Sequence, residues 1–186
     1  MTITKSITID CHDTQGGILA SLTTGIIINI TNAADTRKTV NIRGLNIDGA
    51  SNGISGIRII EAIKVVIEDT VIDGFSQNGV SIENSVNLGA QVVVFGSSIR
   101  NVVGAAISAT SIGSSQVMVS DCLITGNGTG VSVAGESTVR ISGNVITNNG
   151  TGLLRPNRGA QIISFLNNTI DNNGINGTPS STVALQ

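Results

Sequence analysis

The chain has 186 residues, a formal net charge of -2 and 12% charged side chains, about half the usual share. Its 40% hydrophobic residues suffice for one packed domain, three Phe without Trp or Tyr exclude an aromatic-filled core, and no basic stripe exists to neutralise a nucleic-acid backbone. The longest apolar run, Gly25 to Ile30, is too short to span a membrane, and Met1 to Ile7 lacks the apolar stretch of a signal peptide.

In chain order, the first strand is Ile7-x-Ile9, and Ile9 is taken as the first mark of a repeat. An insert of roughly a dozen residues follows, so residues 1–48 read as one rung with a long loop. Within it, Ile18 to Leu22 suits a helical turn or a strand equally. The next marks are Ile47, Ile72, Ile99, Ile124, Ile146 and Ile170, at spacings of 25, 27, 25, 22 and 24 residues. Seven residues before them stand Val40, Val65, Val92, Val117, Val139 and Ile163. Five before stand Ile42, Ile67, Val94, Val119, Ile141 and Phe165, and three before Gly44, Asp69, Gly96, Asp121, Gly143 and Asn167. The period-two alternation predicts a strand with one face inward, and Gly, Asp and Asn predict a turn between it and a second strand at the mark. Asn-Gly turns often come next, at Asn52, Asn78, Asn127, Asn149 and Asn173, followed by a third apolar stretch such as Gly79-Val80-Ser81-Ile82.

Three short strands per 22 to 27 residues describe an all-β, right-handed parallel β-helix of about seven rungs, one domain spanning 1–186. A left-handed form would carry a strict hexapeptide repeat, which this chain lacks. Asn144 and Asn168, at the interior turn position of Thr70 and Ser97, predict a side-chain ladder that satisfies turn amides. Cys11 and Cys122 fall four rungs apart, about 19 Å at the ~4.8 Å strand spacing, too far for a disulfide. The segment 179–186 has lost the repeat and reads as a tail lying across the last rung or free.

The segments Ile3-Thr4-Lys5-Ser6-Ile7-Thr8-Ile9-Asp10-Cys11 and Asn41-Ile42-Arg43-Gly44-Leu45-Asn46-Ile47-Asp48-Gly49-Ala50 resemble a family of bacterial right-handed β-helix repeat proteins. Asn167-Asn168-Thr169-Ile170 and the run from Gly177 to Leu185 are similar too. The resemblance implies a pectate-lyase-like fold and an exported, extracellular or cell-surface protein shortened at its N-terminus, with its first rung exposed. It implies no particular activity and carries over no catalytic residues.

Three functional readings follow. In the first, the chain is a non-catalytic secreted scaffold, or binds glycan or a surface. It self-associates through an outward apolar stripe of Val66, Val93 and Met118 with Phe95 beside it. In the second, it is a polysaccharide lyase or glycoside hydrolase. Residues after the marks face outward, which stacks Asp48, Asp73 and Arg100, with Asp10 placed in the same column. Two such carboxylates could share a proton, bind Ca²⁺ or act as acid and base, and Arg100 could hold a uronate. The Asn-Thr-Asp, Gly-His-Gly and Arg-Ile-Lys motifs of polygalacturonases are absent. In the third, a hydrolase or esterase uses His12, the only histidine, flanked by Asp10 and Asp13. It lacks a Gly-x-Ser-x-Gly elbow and recognisable metal-ligand spacing.

Overall fold

The computed structural model describes residues 1–84, 89–111, 113–157 and 159–184. Among the described residues all strand pairing is parallel and forms two sheets. The first strands of seven rungs stack in chain order: Ile7–Asp10, Thr39–Arg43, Lys64–Glu68, Gln91–Phe95, Gln116–Ser120, Thr138–Ser142 and Gln161–Phe165. Ser181–Val183 joins them as an eighth, pairing Ile163 with Ser181 and Phe165 with Val183. The segment expected as a tail therefore extends the sheet. Second and third strands share a twelve-stranded sheet, because in rungs 2 and 3 they run on as single bent strands, Leu45–Glu61 and Val71–Ile82.

The apolar columns are in register. Val40, Val65, Val92, Val117 and Val139 are paired in succession, as are the marks Ile47, Ile72, Ile99, Ile124 and Ile146, and all are at most 1% exposed. Each such side chain contributes about 1.5–3 kcal/mol on burial. Little thickness is available between rungs. The γ2 methyls of five mark isoleucines lie where a glycine of the preceding rung would carry its Cβ: Ile47 on Gly25, Ile72 on Gly56, Ile99 on Gly79, Ile146 on Gly130 and Ile170 on Gly152, at 2.5–3.2 Å. The glycines opening the third strands are thus required by close approach. The turn column Gly44, Asp69, Gly96, Asp121 and Gly143 has positive φ throughout, from 46° to 67°, which explains its composition.

Two expectations are corrected. Ile9 is not a mark: Ile7 pairs with Val40 and Ile9 with Ile42, so both belong to the first strand, and the mark of rung 1 is Ile18, paired with Ile47. Asp10 then pairs with Arg43 and leaves the Asp48 column, where Leu19 stands instead. An apolar-x-apolar pair fits the first strand and the mark alike, and the insert is divided between 11–15 and 30–38. In rung 7 the inward residues are Ile162 (0% exposed) and Ser164 (6%), not Ile163 and Phe165. The turn there holds one extra residue, which shifts the strand by one position and reverses its faces. The Ser164 hydroxyl is satisfied by the Phe165 carbonyl at 3.0 Å and the Asn168 amide at 3.1 Å.

The expected interior ladder is present. Thr70 N donates to Ser97 Oγ (3.1 Å), Cys122 N to Asn144 Oδ1 (3.0 Å) and Asn144 N to Asn168 Oδ1 (3.0 Å). A second ladder stands at the next corner, where the sequence suggests only Asn-Gly turns. The amides of Val102, Asn127 and Asn149 donate to the side chains of Asn127, Asn149 and Asn173. Those side chains donate in turn to the carbonyls of the marks Ile99, Ile124 and Ile146 at 3.0–3.1 Å.

Candidate functional site

Rung 1 departs from the repeat where its first strand turns into its second. In rungs 2 to 6 one left-handed residue makes this turn, as Gly44 does between Arg43 and Leu45. In rung 1 the five residues 11–15 intervene. This loop lies on Gly44, where a Cβ would stand 2.8 Å from His12 N and 2.9 Å from the Cys11 carbonyl carbon. The absent side chain lets His12 extend past rung 2 to the Asp69 turn of rung 3.

There the imidazole sits between two carboxylates. Nδ1 lies 2.9 Å from Asp10 Oδ1 and Nε2 lies 3.0 Å from Asp69 Oδ2. Asp10 Oδ1 also accepts the His12 backbone N–H at 3.1 Å. The hydrogen bond to Asp69, then that to Asp10, raises the His12 pKa above its ordinary 6.5. Asp10 is held below the usual carboxylate range, first by the His12 backbone N–H. Arg43 Nη1 lies 3.6 Å from Asp10 Oδ2. Its Nε is 3.0 Å from Glu68 Oε2, close enough for an ion pair but without hydrogen-bond alignment.

A cleft of about 520 Å³ opens beside this cluster, bordered by Thr14, Gln15, Leu45, Asn46, Asp69 and Val71. A smaller one, of about 280 Å³, shares Gly17 and Asn46 with it and reaches Leu19 and Asp48. Together they form a groove on the outer face of the second strands in rungs 1 to 3. Its polar wall offers a hydroxyl, two carboxamides and two carboxylates, all of which pair with polyol hydroxyls.

The stacked residues read from the sequence stand in register. Asp48 pairs with Asp73 and Asp73 with Arg100. Asp48 lies in the groove, and its Oδ1 accepts the Ala50 N–H at 2.7 Å, capping a turn in which Ala50 and Ser51 both have positive φ. Asp73 is held by Arg100 Nε and Asn101 Nδ2, both at 2.8 Å. His12 touches the groove's wall through Asp69 and, among the described residues, hydrogen-bonds none of Asp48, Asp73 and Arg100; its two ring nitrogens face carboxylates rather than a hydroxyl or thiol. Among the described residues, no group of three or more His, Cys, Asp or Glu side chains could hold a metal ion, and no helix is long and apolar enough to cross a membrane.

The outward stripe is also formed. Val66, Val93 and Met118 are successive register partners, each half-buried, and Arg140 follows them with Nη1 2.7 Å from Gln116 Oε1. Phe95 stands between Glu68 and Ser120 and is 40% exposed. This stripe lies on the eight-stranded sheet and the groove on the twelve-stranded one.

Both cysteines are free. Cys11 is half-buried at the start of the loop, and Cys122 is buried in the interior ladder column, where desolvation above all pushes its thiol up to about 11. At pH 8 an aromatic disulfide reagent is expected to leave Cys122 unlabelled in the native protein and to label it after unfolding. Native labelling at Cys122, read by mass spectrometry, would contradict its burial.

The Asp69 part of the cluster was not apparent in the sequence, since 57 residues separate it from His12. The turn alternation Gly44–Asp69 is the signal that points to it. A family model described as the right handed beta helix region matches residues 3–183. No curated protein and no solved structure gave a match.

Proposed function

We propose that this chain, which belongs to the right-handed β-helix family, is a non-catalytic carbohydrate-binding protein that seats a polysaccharide in the groove over rungs 1 to 3. The observation that carries this reading is the joining of two clefts into one groove walled by Thr14, Gln15, Asn46, Asp48 and Asp69. Side chains one rung apart repeat at about 4.8 Å, which suits an extended polymer. An extracellular or cell-surface setting belongs to the same reading.

Catalysis is disfavoured by how the acidic groups are engaged. Asp73 is neutralised by Arg100 and hydrogen-bonded by Asn101, and Asp48 caps its own turn. A catalytic carboxylate must be free to meet the substrate, whereas both oxygens of Asp73 are already engaged, by Arg100 Nε and Asn101 Nδ2 at 2.8 Å.

Retardation of the native protein in gels containing acidic or neutral polysaccharide tests the reading. Asn46→Ala is expected to weaken retention about tenfold, the equivalent of one lost hydrogen bond of about 1.4 kcal/mol. Met118→Ala, on the other sheet, is expected to leave it unchanged. Retention lost in Met118→Ala and kept in Asn46→Ala would move the ligand to the apolar stripe.

A further inference from the structure

We infer that His12 is a proton-operated latch on the groove: its imidazolium ties the 11–15 loop to the Asp69 turn, and loss of its proton frees the Asp69 carboxylate for ligand. This rests on the glycan reading above, because Asp69 is both the latch's partner and a wall of the cleft.

The geometry carries the inference. Only an imidazolium has an N–H for each of the two carboxylates it faces, at 2.9 and 3.0 Å. A neutral ring has one N–H, so one carboxylate is left facing a nitrogen lone pair. Asp10 is the better held of the two, since it also accepts the His12 backbone N–H and has Arg43 at 3.6 Å. Among the described residues, Asp69's carboxylate has no other hydrogen-bond donor than His12. The contact that opens is therefore the one between rungs 1 and 3.

The charged groups around the ring are Asp10 and Asp69 in direct contact, Arg43 and Glu68 behind Asp10, and Asp13 in the same loop. Hydrogen bonds to both carboxylates raise the His12 pKa, so the latch is fully engaged below about pH 6.5 and opens as pH rises through the raised value. Asp10 is shifted down, so its contribution is lost only as pH falls through that lowered value.

Because the chain has one histidine, its ring proton resonances report the latch without assignment. In ligand-free protein, the wild-type titration midpoint is expected above 6.5, and Asp69→Asn is expected to lower it. A midpoint at the ordinary value, unmoved by Asp69→Asn, would overturn the latch. In gels, polysaccharide retention is expected to strengthen at least about fivefold between pH 5.5 and 9, the low end of ordinary site coupling. His12→Gln, which cannot titrate, is expected to abolish that dependence. Retention equal at both pH values in the wild type would overturn the coupling and leave the glycan reading intact. No retention at either pH would overturn the glycan reading, while the proton midpoint would still decide the latch.

Discussion

Replacing Asn149 by Ala is expected to lower stability by about 3–5 kcal/mol, measured as a fall in the urea midpoint at unchanged slope. Asn149 is 3% exposed, and five hydrogen bonds converge on its carboxamide. Its Oδ1 accepts the Asn127 backbone N–H at 3.0 Å and the Asn127 Nδ2 at 2.9 Å. Its Nδ2 donates to the carbonyls of Ile124 (3.1 Å) and Thr147 (3.0 Å) and to Asn173 Oδ1 (2.9 Å). Truncation leaves several buried donors and acceptors unpaired, each costing about 1–3 kcal/mol. Asn41→Ala removes one exposed contact to Thr8 and is expected to stay within about 0.5 kcal/mol. A loss at Asn149 no larger than at Asn41 would mean that the corner ladder does not hold the rungs together.

The second large effect is expected at Gly79. A β-carbon there would stand 2.5 Å from Ile99 Cγ2 and 2.6 Å from the Ala106 carbonyl oxygen. The first neighbour is a side chain in a fully packed core, and the second is backbone one rung away. Neither can retreat without separating paired strands. Gly79→Ala is expected to cost about 3 kcal/mol, the upper end of ordinary overpacking, although helix and strand propensities alone favour Ala. Shaving the isoleucine in Gly79→Ala/Ile99→Ala relieves one of the two clashes but gives up the buried Ile99 side chain, so no net recovery is expected. An unchanged thermal midpoint in Gly79→Ala would show that the rungs stand further apart than 2.6 Å allows.

Much of this architecture was legible in the sequence because a solenoid repeats its constraints. The spacing of Ile47, Ile72, Ile99, Ile124 and Ile146 survives as a fully buried column in register, and the Gly/Asp turn positions prove to be left-handed. Legibility failed where the period broke. Ile9 satisfied the pattern at the wrong strand, because residues 11–15 separate the two strands of rung 1. One extra turn residue before Ile170 reversed Ile162 to Phe165, a slip that an apolar pattern on both faces cannot reveal. The corner asparagines suggest turn formers alone, because a side chain turned inward and one turned outward have the same sequence.

The same division holds for the candidate site. Asp48, Asp73 and Arg100 stand in one column because they inherit the register of the marks. The engagement of Asp73 by Asn101 and the capping role of Asp48 depend on side-chain geometry that no periodicity encodes. The groove itself arises where the 11–15 loop breaks the repeat, so the regular part of the sequence says nothing about it.

Incubation of the purified protein with the polysaccharides that retard it separates binding from cleavage most directly. Reducing ends and the absorbance of unsaturated uronates would be followed together, with and without Ca²⁺. Retention without accumulating product, in wild type and Asp73→Asn alike, is the expected result. Reproducible product that disappears in Asp73→Asn would contradict it and make the Asp48–Asp73–Arg100 column a catalytic centre.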